Sequence, residues 1–410
     1  MRARCSTTAL ATIALLLSGG LSALPGQERV RLGIEVLLSD SIHLVTGKRV
    51  GLITNHSGVT PDGRSTIDLL HSARGVRLTA LFAPEHGIRG EAAAGQRIDN
   101  SVDSATGVPI YSLYGDTRVP TAEMLKDVDV VVFDIQDVGS RTYTYQWTMA
   151  LSAEAAAAHG RQFIVLDRPN PVRGDRVEGG VLDPQFRSFV GQYPVALRYG
   201  LTPGELLRFL VGTGQVKADV KVVPMRGWKR TMWLDETGLP WHDPSPNLRS
   251  LDAALLYTGT VFFEGTNLSE GRGTPRPFQL IGAGWLKDAG EIARELNSRR
   301  LPGVSFDSTT IKVEPGQKWG GQTIPMISVT VTDRNAVVPY RVGIEMLREV
   351  YRRHKGEFQW RTGAIDRLSG TSRLRDLVEL DGIDALVPAL ESESREFQQK
   401  AAAYLLYPPR

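Results

Sequence analysis

From residue 49 onward, short apolar runs alternate with amphipathic stretches, the rhythm of βα units that feed a parallel sheet. Strands are predicted over residues 49–54, 77–83, 128–135 and 162–167. Each is rich in Val, Ile, Leu or Phe without strict alternation, as strands covered on both faces are. Helices are predicted over residues 66–73, 121–126 and 143–159, with Ser65 and Ser140 as caps ahead of the first and third. Further on, helix signals cover residues 202–211, 248–257, 340–354 and 393–405, and strand signals cover 220–225, 258–264, 308–314 and 325–332. Pro and Gly crowd residues 227–246 and 265–284, which predicts long loops there. The expected fold class is α/β, with a boundary near Ser250 and a smaller α+β domain behind it.

Each of the first four strands runs into a polar cluster. These are Asn55-His56-Ser57-Gly58, Pro84-Glu85-His86-Gly87, Gln136-Asp137-Val138-Gly139 and Asp167-Arg168-Pro169-Asn170-Pro171. In open α/β sheets ligands bind beyond the carboxyl ends of the strands, so the four clusters are expected to converge on one crevice. No GxGxxG follows the first strand and there is no Walker loop, which leaves a dinucleotide or nucleotide site without support.

Composition narrows the class further. With 410 residues, 41% hydrophobic and 23% charged, the chain is globular and long enough for two domains. Arg2 and Arg4 precede an apolar run over residues 9–17, followed by Gly19, Gly20, Ser22 and Ala23, the layout of a secretory signal over residues 1–26. That run is short for a bilayer and no later one is longer, so no membrane span is expected after cleavage; an uncleaved signal acting as an anchor is the competing reading. Cys5 is the only cysteine and would leave with the signal, which removes disulfides, thiolate-bound zinc and cysteine nucleophiles. The net charge of +3 comes from scattered Lys and Arg, so nucleic acid is not an expected partner.

Four segments offer chemistry. Glu85 and His86, braced by Pro84 and Gly87, suit a general acid at a strand end; the plainer alternative is a cap, or a pair with Arg89. The run from Phe262 to Thr274 holds Glu264, Asn267, Glu270 and Arg272 among three glycines, the mixed donors and acceptors that sugar hydroxyls need, unless it is a solvated Ω-loop. Trp241, Ser245 and Asn247 flank two prolines, a rigid loop with an aromatic face, although Ser245 or Asn247 could equally cap the next helix. Arg141 and Tyr143 open the third helix, where an acidic substrate group could dock. His56, His86, His242, Asp134 and Asp137 lack the spacing of a metal motif, and no G-x-S-x-G elbow follows a strand.

The segments GKRVGLITNHSGV, LFAPEHGIRGE, VVVFDIQDVGSRTYTY, LDRPNPVRG, DPSPN and FFEGTNLSEGRGT, in this order, resemble the NamZ-type exo-β-N-acetylmuramidases, a family long known only as a domain of unknown function. The resemblance runs from about Val30 to the C-terminus. It implies a Rossmann-like domain over residues 27–250, a smaller domain over 251–410, and a cleft between them. It further implies release of N-acetylmuramic acid from the non-reducing ends of peptidoglycan fragments; the secretory signal, which predicts a periplasmic or secreted protein, agrees with that, and from the residues no cofactor and no metal are expected. By position, Glu85 would be the catalytic acid/base and His86 its neighbour. Glu264 or Glu270, with Asp137 behind them, would supply a second carboxylate. Arg141, Arg168 or Arg272 would hold the lactyl carboxylate. Asn55, His56, Asp137, Tyr143, Asn170, Ser245, Asn247 and Asn267 complete the expected substrate contacts. A non-catalytic glycan-binding protein and a hydrolase of a different sugar are the alternatives.

Overall fold

The computed structural model describes residues 29–89, 96 and 99–408; the expected signal segment, Cys5 included, lies outside the described residues. In chain order the strands are β1 (Arg49–Thr54), β2 (Arg77–Ala83), β3 (Ser101–Val102), β4 (Pro109–Ser112), β5 (Val130–Asp134) and β6 (Gln162–Leu166). They continue with β7 (Glu178–Val181), β8 (Ala196–Arg198), β9 (Val220–Val223), β10 (Leu280–Gly282), β11 (Val304–Lys312) and β12 (Thr323–Val331). The helices are α1 (Gly33–Asp40), α2 (Thr66–Ser72), α3 (Tyr145–Ala158), α4 (Pro203–Gly212) and α5 (Leu251–Thr260). Behind them come α6 (Ala289–Ser298), α7 (Pro339–Arg353), α8 (Thr362–Ser369), α9 (Arg373–Glu379) and α10 (Ile383–Ala401).

Seven strands form one sheet in the order β3-β4-β2-β1-β5-β6-β9, all parallel except β3, which runs against β4 at the edge. Counting the six parallel strands in chain order, the sheet reads 3-2-1-4-5-6, the arrangement of doubly wound dinucleotide-binding folds. All five residues of β5 and five of the six in β1 are buried, because helices cover both faces. Ser65 caps α2 by accepting from the Ile67 amide at 3.1 Å, and a Thr202–Glu205 capping box opens α4. The second half carries a three-stranded antiparallel sheet, β10-β12-β11, while β7 and β8, ahead of it in the chain, pair as a separate ribbon.

Residues 258–264, expected as a strand, instead end α5 and continue as a 3-10 turn over Val261–Gly265. The run is β-branched and aromatic but buried almost throughout, and a short apolar run carries no period that separates helix from strand. Tertiary contact decides it. Gly259 lies against α7 so closely that a Cβ there would sit 1.9 Å from the Pro339 carbonyl oxygen. Ser250, rather than Ser245 or Asn247, caps this helix by accepting from the Ala253 amide at 3.1 Å. Ser140 likewise caps nothing: α3 starts at Tyr145, and the Ser140 hydroxyl pairs with that of Thr142 at 2.9 Å. Residues 121–126 form turns, and α10 starts ten residues before the expected 393.

One hydrophobic core runs through both halves, joining Val131 and Leu166 to Leu255, Ile292 and Leu347. The chain end also returns to the first sheet. Tyr407 Oη donates to Asp167 Oδ2 at 2.6 Å and accepts from the Met225 amide at 2.8 Å. The Gly180 amide of β7 donates to Ser394 of α10 at 3.1 Å.

Candidate active site

A cavity of about 850 Å³ opens beyond the carboxyl ends of β2 and β4, where loops of the second half meet the sheet. Glu85 and His86 enter from the loop after β2, and Tyr114 and Arg118 from the segment after β4. Thr142 to Tyr145 come from the approach to α3. The second half supplies Ser245 and Asn247, then Glu264, Glu270 and Arg272, and finally Lys318 from the β11–β12 turn.

Glu85 is held on one wall by hydroxyls. Thr144, the residue ahead of α3, donates from Oγ1 to Glu85 Oε2 at 2.8 Å. Tyr114 stands beside the same carboxylate; burial, together with that negative charge, pushes its phenol up to about 12, so it stays protonated at neutral pH. His86 is buried and adopts φ 71°, a left-handed conformation that costs a non-glycine residue roughly 1 kcal/mol or more. Holding His86 there sets the direction in which this loop leaves β2.

The facing cluster contains two carboxylates and two cations. Arg272 Nη1 lies 2.8 Å from Glu264 Oε1 and 3.0 Å from Glu270 Oε1, and Lys318 Nζ lies 3.0 Å from Glu270 Oε2. Lys318 also donates to the carbonyls of Phe263 and Leu268, both at 2.9 Å, which ties the glycine-rich loop to the β11–β12 turn. Burial raises the Glu264 carboxyl, with Glu270 adding to it against the pull of Arg272. Burial also works to raise Glu270, but Lys318 and Arg272 outweigh it and hold that carboxyl low. Two neighbouring carboxylates are thereby driven apart in acidity. Between the walls runs an aromatic seam: Tyr145 against Tyr143 at 4.9 Å, Tyr143 against Tyr257 at 6.0 Å, and Tyr257 against Phe278 at 4.8 Å, all edge-on. All four rings line the cavity, giving it an apolar floor below charged walls.

Two family models for exo-beta-N-acetylmuramidase NamZ match the chain, the N-terminal one over residues 50–252 and the C-terminal one over residues 255–407. The chain belongs to the NamZ exo-β-N-acetylmuramidase family. Membership makes it a glycosidase of that class. The peptidoglycan beta-N-acetylmuramidase NamZ of Bacillus subtilis (strain 168) is 42% identical over 381 residues, covering 92% of both chains. Two DUF1343 family proteins from Bacteroides fragilis have similar solved structures. One aligns with a TM-score of 0.86 at 37% identity, covering 93% of this chain and 99% of its own. The other aligns at 0.74 and 28%, covering 93% and 100%.

Within this NamZ-family cavity the structure brings together Glu85, His86, Tyr143, Ser245, Asn247, Glu264, Glu270 and Arg272. Seven other expected contacts lie off its walls. Arg168 is buried in a fork on Asp134, Nε to Oδ1 at 2.5 Å and Nη2 to Oδ2 at 3.0 Å. Arg141 is buried and donates to the Leu368 carbonyl at 2.9 Å, clasping the end of α8. Asp137 is buried against the Tyr199 hydroxyl, and burial pushes its carboxyl up to about 6. Asn55 Oδ1 accepts from the Ser57 amide at 2.9 Å, and Asn170 donates to the Leu201 carbonyl at 3.0 Å. His56 donates to the Asp243 carbonyl at 2.6 Å, and Asn267 donates to the Glu357 carbonyl at 2.8 Å. The four strand ends therefore do not all converge on the cavity. Only that of β2 reaches it, while those of β1, β5 and β6 gather around the Arg168–Asp134 pair at the topological switch point, with Gln136 beside Arg168. Only a hollow of about 20 Å³ remains there, beside Arg168 and His242.

Trp241 does not line the cavity; its indole donates to Asp243 Oδ1 at 2.8 Å. Of the rings that do line it, Tyr143 is an expected contact, whereas Tyr114, Tyr257, Phe189 and Phe278 were not singled out by sequence. Tyr114 had a local signal, a Tyr-Gly-Asp turn straight after a short apolar strand. Lys318 had none, since only the fold of β11 onto β12 brings it back to Glu270. Among the described residues no group of three or more His, Cys, Asp or Glu is disposed to hold a metal ion, and no helix is long and apolar enough to cross a membrane.

Proposed function

We propose that this chain releases N-acetylmuramic acid from the non-reducing ends of peptidoglycan fragments, with Glu85 as the proton donor to the glycosidic oxygen. The observation that carries the reading is the meeting of Glu85 with the Glu264–Glu270 pair in one cavity over an aromatic floor. Glycosidic cleavage needs an acid on the leaving oxygen and a negative group near the oxocarbenium-like centre. Thr144 orients Glu85 for the first task, with the Tyr114 phenol beside it. Glu264 performs the second: 27% of its side chain is accessible against 5% for Glu270, which is committed to Lys318 and Arg272. Glu270 then acts through its neighbours, keeping Arg272 and Lys318 aligned. The aromatic floor supplies the apolar face on which a pyranose ring packs. The peptidoglycan substrate follows from the Bacillus subtilis relative, and the Arg2/Arg4 segment with its apolar run supports action outside the cytoplasm.

The test uses a chromogenic β-N-acetylmuramide and the matching glucosaminide with wild type, Glu85→Gln and Glu264→Gln. Chromophore release from the muramide by wild type, reduced about 10²- to 10⁴-fold in Glu85→Gln, is the expected result. A Glu85→Gln variant with near wild-type turnover would remove Glu85 from the chemistry, and a wild type inert toward every muramide would remove the function.

A further inference from the structure

The cavity wall carries four carboxylates, Glu85, Glu264, Glu270 and Glu314, and four cations, Arg118, Arg249, Arg272 and Lys318. Arg272 and Lys318 are engaged by Glu264 and Glu270, so that quartet is neutral within itself. An anionic substrate group placed beside Arg272 would also meet two carboxylates. Arg118 differs: among the described residues no carboxylate lies within ion-pair distance of it. Its guanidinium instead stacks over the Phe189 ring, with Cζ 4.1 Å from the ring centre. Stacking occupies the flat face of the cation and leaves its edge of N–H donors open. Phe189 in turn touches Tyr114, with ring centres 6.1 Å apart, and Tyr114 lines the cavity beside Glu85. Arg118 is thus fixed, through two aromatic rings, to the wall that carries the proposed proton donor.

We infer that Arg118, seated on Phe189, is the specificity residue that takes the substrate's carboxylate in a bidentate fork. The inference rests on the muramidase reading: the lactyl ether is the feature by which muramic acid differs from glucosamine, and it is carried on the sugar ring that Glu85 would act upon. Arg249 is the other wall cation without a carboxylate partner among the described residues, but its Nε is held by the Pro246 carbonyl at 3.0 Å, on its own loop. Arg118 replaces Arg141 and Arg168 in this role because those two side chains are buried in backbone and Asp134 contacts.

The experiment compares a chromogenic β-N-acetylmuramide with its lactyl methyl ester, using wild type, Arg118→Ala, Arg118→Lys and Arg249→Ala, with thermal midpoints as a folding control. The readout is the ratio of kcat/KM for acid over ester. Arg118→Ala is expected to lower that ratio about 10- to 100-fold, chiefly through KM, with Arg118→Lys falling between. Raised salt should erode the acid preference of wild type more than that of Arg118→Ala. An unchanged ratio in Arg118→Ala, or a collapse confined to Arg249→Ala, overturns the assignment. A wild type that cleaves neither compound overturns the muramidase reading instead, before any variant is considered.

Discussion

Replacing Arg272 with methionine keeps most of the stem but removes the cation shared by Glu264 and Glu270. At separations of 2.8 and 3.0 Å, each contact has a gross attraction of about 5 to 6 kcal/mol at an effective dielectric near 20. Desolvation of the three groups offsets most of this, and deleting one partner of a buried pair costs about 3–5 kcal/mol in net terms. Accessibilities of 23% for Arg272 and 27% for Glu264 admit some solvent screening, while Lys318 still neutralises part of Glu270. The expected loss is therefore about 2–4 kcal/mol at pH 8. Its sign with pH is set by the carboxylates. Without Arg272 both carboxyl pKa values rise in the folded chain relative to wild type, while the unfolded chain is unchanged, so the folded variant holds protons that the folded wild type has released. The deficit relative to wild type is thus largest at pH 8 and narrows as the pH falls toward 5. Urea unfolding followed by tryptophan fluorescence at both pH values measures it, and adding Glu264→Gln to Arg272→Met should restore most of the loss. A deficit below about 1 kcal/mol at pH 8, one that widens on acidification, or a double variant no better than the single one would refute this account of the cluster.

Two further outcomes follow from buried groups. Burial pushes the Asp167 carboxyl from an ordinary 3.8 up to about 7, so the folded chain keeps a proton there that the unfolded chain loses. Its contribution is intact below about pH 4 and is lost as pH rises toward 7, and Asp167→Asn should flatten this part of the wild-type curve of thermal midpoint against pH. At His86, where φ is 71°, His86→Gly should be more stable than His86→Ala by about 1 kcal/mol in denaturant titrations, because only glycine takes that conformation without strain. Equal stability would mean that the loop relaxes.

By itself the chain pattern determined the parallel sheet, since β1 and β2 are bounded by their apolar runs and such runs can be buried only between helix layers. It also determined the polar character of the strand ends and, through Glu85 and the glycine-rich loop, where carboxylates enter the cavity. Tertiary structure decided the remainder. Whether residues 258–264 became strand or helix depended on α7 packing against Gly259, a contact that local propensity does not encode. Whether a polar residue met substrate or protein depended on what stood opposite it: Arg168 found Asp134 and Arg141 found the Leu368 carbonyl, while Arg118 found an aromatic ring and, among the described residues, no carboxylate. An arginine in a sequence is the same cation in each case, and its role follows from the partners that folding leaves it.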